Sequence, residues 1–110
     1  CFAGSREVFK KALDMGFYIG FDGNITYKGI APGEEVSLSE LAKATPIDRI
    51  LVETDAPFLT PIPLREKRNE PQNVIIVGEY LARLKKVPYD EFEKAIDKNV
   101  KKVFKKIIGL

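Results

Sequence analysis

The sequence predicts an α/β fold with parallel strands, and three observations carry that expectation. Residues 17–21 and 49–52 are short apolar runs with branched or aromatic residues, the pattern of buried strands. Helix-start signals stand between and after them, and strands alternating with helices pair in parallel through right-handed crossovers. The second run ends in Glu53 and Asp55, one residue apart, at the C-terminal end where a parallel sheet keeps its chemistry.

Taken in order, Cys1 and Phe2 read as the tail of a strand, and Ser5 as the cap of a helix reaching to about Met15. Val8, Phe9, Ala12 and Leu13 make its apolar stripe and Gly16 stops it. After the run at 17–21, Asp22-Gly23-Asn24 turns the chain, and residues 25–36 read as a loop with two glycines and a proline. Ser37 and Glu40 have the spacing of a capping box, so a short helix should run to about Ala44 and end before Pro46.

Beyond the second strand, residues 58–69 form a proline-bearing loop with three cations, Arg65, Lys67 and Arg68. Asn69 can cap the next helix, with Pro71 in its first turn and Val74, Val77, Leu81 and Leu84 on its buried face. Pro88 opens the last helix, whose buried face is Phe92, Ile96, Val100, Val103 and Ile107. Its lysines at 98, 101, 102, 105 and 106 complement the negative end of the helix dipole.

The 110 residues suffice for one small domain with a core. A formal charge of +2 does not by itself indicate nucleic acid, and no apolar run reaches membrane-spanning length. The single cysteine fits a reducing, cytoplasmic compartment. With no histidine, the usual general base and commonest metal ligand are missing from these residues. The chain opens on Cys1 without a methionine, and two strands with a stub do not make a covered sheet. A single partial domain over residues 1–110, with its missing strands upstream or on another chain, is therefore expected.

Glu53 and Asp55, continuing the strand's alternation, would share a face. Two carboxylates together at a strand end call for a metal ion, a proton or a cation nearby. The plainer reading is a chain turning acidic as it enters solvent.

Three blocks together resemble the TatD-type metal-dependent deoxyribonucleases. They are Cys1-Phe2-Ala3-Gly4-Ser5; residues 16–20 continued by Gly23-Asn24-Ile25-Thr26-Tyr27; and residues 51–57 continued by Pro61-Ile62-Pro63 and Arg68-Asn69-Glu70-Pro71. Asn99 with Val103-Phe104 is similar to the family's closing helix. The resemblance implies the C-terminal part of a (β/α)8 TIM-type barrel: the end of the sixth strand, the seventh at 17–21, the eighth at 50–53, and their helices. It also implies cleavage of DNA phosphodiesters with divalent metal ions, whether magnesium, manganese or zinc, at the strand C-termini.

Under the resemblance, Asp55 is a metal ligand and the catalytic carboxylate that activates the attacking water. Glu53 sits deeper and orients the ligands around the metal, or pairs with a barrel lysine or arginine. Arg68, Asn69, Arg65 and Thr26 become substrate contacts. Guanidinium forks suit phosphate oxygens, and Arg68 adjoins Asn69. Tyr27 beside Thr26 could touch substrate or pack on the rim, and Lys67 is left to solvent. The family's remaining ligands, histidines and a glutamate, lie on earlier strands. The implied partners are thus the DNA substrate and the missing upstream barrel half. Two other readings stay open: a related amidohydrolase-type enzyme on a non-nucleic-acid substrate, and a non-catalytic fragment acting through chain association.

Overall fold

Two three-residue strands, β1 (Ile19–Phe21) and β2 (Ile50–Val52), pair in parallel at the centre of the computed structural model, which describes residues 2–105. Ile19 lies opposite Ile50, Gly20 opposite Leu51 and Phe21 opposite Val52. The Phe2 amide donates to the Gly20 carbonyl at 3.2 Å, which lays residue 2 along β1 as the strand-tail reading expected. Cys1 lies outside the described residues. The α/β class with parallel strands is therefore as the sequence implied.

Helix α1 (Arg6–Asp14) is capped at Ser5, whose hydroxyl accepts from the Val8 amide. It ends at Gly16, where φ is +88°, with Gly16 and Phe17 amides closing on Leu13 and Ala12 carbonyls. That closure explains why β1 is shorter than the apolar run. The Phe17 amide is already taken and its ring stands 56% exposed, so pairing starts at Ile19. The buried stripe is Phe9 with Ala12 and Leu13, whereas Val8, expected on it, lies 52% exposed. Phe9, Ala12 and Leu13 follow the i, i+3, i+4 spacing, and Val8 falls off the edge of that face.

Residues 23–26, expected as a turn passing into a loop, form a 3-10 turn instead (Gly23–Thr26) with Ile25 fully buried. The cause is close packing. A Cβ on Gly23 would stand 1.7 Å from the Leu59 carbonyl oxygen, so glycine alone lets the two loops touch. Helix α2 (Leu38–Ala44) starts with the expected capping box: the Glu40 amide donates to the Ser37 hydroxyl, and the Glu40 carboxylate accepts from the Ser37 amide. Three carbonyls at its C-terminal end, those of Ala42, Lys43 and Thr45, accept from Lys85 Nζ. Burial lowers the Lys85 pKa.

Arg49, read as a strand residue, closes a 3-10 turn (Ile47–Arg49) ahead of β2. Its guanidinium donates to the Leu13 and Phe17 carbonyls and lies over the Tyr18 ring, tying α1 to the start of β2. A third 3-10 turn (Pro71–Asn73) precedes α3 (Val74–Lys85), so Asn69 is not a helix cap. It lies too far upstream, and its side chain turns inward. Pro88 opens α4 (Tyr89–Val103) as expected, with Phe92 and Ile96 in the core and Val103 partly exposed; Ile107 and Lys106 lie outside the described residues.

Helix α3 packs between α2 and α4 and over the Gly23–Thr26 turn, while α4 covers β2. One core joins Phe21, Ile25 and Ile50 to Leu41, Val77, Leu81 and Phe92. Each such side chain contributes roughly 1.5–3 kcal/mol on burial. That core is what holds the two strand ends together. No helix among the described residues is long and apolar enough to cross a membrane.

Candidate functional site

Parallel pairing brings the C-terminal ends of β1 and β2 to one place. Phe21 and Val52 are partners, and the Glu53 amide still donates to the Phe21 carbonyl at 2.9 Å. Asp22 and Glu53 are thus the first residues past each strand, and Asp55 follows two residues on. Asp22 is only 1% exposed, and among the described residues neither carboxylate oxygen has a hydrogen-bond partner. Burial, and then the negative charge of Asp55, raise its pKa. The same two causes, in the same order, raise the pKa of Glu53. Asp55 is therefore felt by both, and the three carboxylates share one neighbourhood at the strand ends.

Glycine makes room for this gathering. A Cβ on Gly20 would stand 3.1 Å from Glu53 Oε1, so the Glu53 side chain lies across β1 where that strand has none. Strand alternation does not extend to Asp55, however. β2 ends at Val52, and Asp55 takes φ +58°, in the left-handed region. Asp55 instead opens a turn: the Phe58 amide donates to the Asp55 carbonyl at 2.8 Å. The Asp55 residue is exposed.

The expected substrate contacts divide into two kinds. Asn69 and Thr26 face inward. Asn69, 3% exposed, donates from Nδ2 to the Thr54 and Phe58 carbonyls at 2.8 and 2.7 Å. Its Oδ1 accepts from the Glu70 amide and Asn73 Nδ2 at 2.9 and 3.0 Å. Thr26 donates to the Gly23 carbonyl at 2.7 Å and accepts from the Ile62 amide at 2.9 Å, which pins the loop after β1 to the loop after β2.

Arg68, Arg65 and Lys67 are exposed. The Arg65 guanidinium lies 3.9 Å from the centre of the Tyr27 ring, and the Tyr27 hydroxyl donates to the Thr60 carbonyl. Arg65 and Tyr27 border a cavity of about 370 Å³ together with Asn24, Lys28 and Leu59.

Sequence reasoning passed over Asp22, although the rule that singled out Glu53, first residue after a strand, applied to it equally. It also read Asn69 locally, as a cap, when its partners lie 11 and 15 residues upstream.

A family model described as "TatD related DNase" matches residues 1–105. The chain belongs to that family. YabD of Bacillus subtilis (strain 168), named an uncharacterized metal-dependent hydrolase, is 43% identical over 105 residues, 96% of this chain and 39% of its own length. A TatD relative of Pantoea ananatis, named a 3'-5' ssDNA/RNA exonuclease, is 33% identical over 110 residues, with 94% of this chain and 40% of its own covered. Among solved structures, the TatD homologue YJJV of Escherichia coli K12 aligns with a TM-score of 0.79 at 27% identity, covering 94% of this chain and 38% of that one. The chain thus spans about two-fifths of the length of the TatD relatives it matches.

A divalent metal, the group the family names imply, fits the chemistry of these donors. Carboxylate oxygens suit hard divalent cations, and neither buried oxygen of Asp22 has a hydrogen-bond partner among the described residues. Among the described residues, no three of the His, Cys, Asp or Glu type stand close enough to hold an ion. These residues can contribute to a metal site, with Asp55 the open donor, and further ligands are needed to complete it.

Proposed function

We propose that this chain is the C-terminal part of a metal-dependent phosphodiesterase acting on DNA, with the rest of a (β/α)8 barrel supplying the remaining metal ligands. The observation that carries the reading is the convergence of Asp22, Glu53 and Asp55 at the C-terminal ends of two parallel strands. The names carried by the relatives support it.

In this reading Asp55, open to the site, is the metal ligand and accepts the proton of the attacking water. Glu53, held across Gly20, keeps negative potential behind it and orients its neighbours. Arg68 and Arg65, exposed on the loop after β2, take the phosphate oxygens of the substrate strand. Thr26 and Asn69 hold the two loops in place. A divalent magnesium, manganese or zinc ion, when bound, supplies charge neutralisation at the phosphate and acidifies water.

The test is hydrolysis of a labelled single-stranded oligonucleotide by the whole protein with manganese or magnesium. Asp55→Asn should lower the rate by about 10²- to 10⁴-fold, the usual worth of a positioned acid or base. A folded Asp55→Asn protein cutting DNA at the parent rate would sink the reading. If the metal-loaded protein hydrolyses other esters or amides and leaves DNA intact, the substrate class is wrong and the amidohydrolase alternative holds.

A further inference from the structure

We propose that Asn69 is a positioning residue: it fixes the turn that carries Asp55 and, with it, the spacing between that carboxylate and Arg68. The inference rests on the reading of Asp55 given above and deepens it.

A primary amide has two N–H donors and one oxygen with two acceptor sites. In Asn69 all four are engaged within the protein. The two donors go to the Thr54 and Phe58 carbonyls, one residue before Asp55 and three after it. The oxygen accepts from the Glu70 amide and from Asn73 Nδ2. The Asn69 backbone amide adds a bond to the Pro57 carbonyl at 3.1 Å. One buried residue therefore grips the acidic turn at three carbonyls.

Asp55 has reason to need that grip. Its φ of +58° lies where a residue with a Cβ is disfavoured and persists only if the surroundings hold it. Released from Asn69, the turn could relax to negative φ and swing the carboxylate away. Arg68 is the residue before Asn69, so the bond to Pro57 also sets where the Arg68 side chain leaves the backbone relative to the turn. The pairing is chemically specific. Serine cannot reach two carbonyls, aspartate lacks the donors, and glutamine carries the same amide one carbon further out. A direct side-chain contact with substrate is also argued against, because no side-chain polar atom of Asn69 is left to make one.

Positioning predicts a particular kinetic signature. Loss of a group that orients a metal ligand costs about 10- to 100-fold in metal affinity or turnover. In the whole protein, Asn69→Ser should lower kcat on a labelled single-stranded oligonucleotide, and weaken manganese binding measured by calorimetry, each by about tenfold or more. KM should move by less than about twofold, since uniform substrate binding is untouched. Asn69→Gln should recover part of both losses. Asn99→Ala is the control for a buried asparagine away from the turn and should lower the unfolding temperature alone.

A raised KM with unchanged kcat would place Asn69 on the substrate and overturn the proposal. Loss of stability with kcat and manganese affinity intact, as expected for Asn99→Ala, would overturn it too. Should Asn69→Ser fail to fold, Asn69→Asp is read by the same criteria. Asp55→Asn separates the two levels. If that variant is inactive while Asn69→Ser is unchanged, only the positioning role fails; if it is fully active, the reading of Asp55 fails.

Discussion

Two buried asparagines hold the two ends of β2, and they do so in the same way. Asn99, on α4, donates from Nδ2 to the Ile47 and Ile50 carbonyls at 2.9 and 2.8 Å, where the strand begins. Asn69 donates from Nδ2 to the Thr54 and Phe58 carbonyls, just past where it ends. Both are almost fully enclosed. What they hold differs. Asn99 secures a 3-10 turn packed under α4, beside Ile96 and Phe92. Asn69 secures an acidic turn with an exposed aspartate in a strained conformation. One hydrogen-bonding device thus serves stability at one end of a strand and geometry at the other, the division a parallel barrel makes between its two faces.

The largest effect expected from that division is at the stability end. Asn99→Ala leaves the buried Ile50 carbonyl and the part-buried Ile47 carbonyl without their donor, at about 1–3 kcal/mol for a buried one, so a net loss of about 2–4 kcal/mol should appear in denaturant unfolding. Metal affinity should not change. A parallel loss of manganese binding would break the comparison, because the two ends would then be one cooperative unit.

At the functional end the sign should reverse. The Asp22 carboxyl is raised above its ordinary 3.8 by burial and then by Asp55, so the folded state favours the proton more than the unfolded state does. Stability from this group is therefore full below pH 3.8 and falls as pH rises from there through the raised folded value. Asp22→Asn removes that liability. In chelator-treated protein it should raise stability at neutral pH, an advantage that fades as the pH falls towards 3.8. Thermal unfolding across pH reads this directly. A variant less stable at neutral pH would mean that Asp22 has a cationic partner in the folded protein.

A third effect lies away from both ends. Ser37→Ala removes the forward half of the capping box on α2 and should cost about 1 kcal/mol, with turnover unchanged. An effect on turnover would show that α2 is coupled to the strand ends through α3.

What the sequence revealed followed the range of the interactions. Ser5, Gly16, Ser37 with Glu40, and Pro88 act within four residues, and each stood where local chemistry placed it. The strands were located but read too long, because Phe17 and Arg49 look apolar-adjacent while their backbones serve neighbouring turns. The acidic pair Glu53 and Asp55 after the second strand stood out by residue type, and only the blocks that follow it turned that pair into a candidate site. The contents of its surroundings were not legible. Asp22 could be marked as a strand-end carboxylate, but its burial is hidden until Gly23 is seen packed on Leu59, and Asn69 reads as a cap until its carbonyl partners are known. Both depend on loops meeting in space.

The contact between Gly23 and Leu59 has a consequence for anyone reshaping this protein. Because backbone meets backbone there, and Thr26 and Tyr27 add bonds to Ile62 and Thr60, the loops after β1 and β2 form one mechanical part. Swapping either loop for that of a relative would import a surface cut to fit a different mate. Grafts aimed at new specificity should exchange the two together, and libraries that randomise one loop should keep position 23 as glycine.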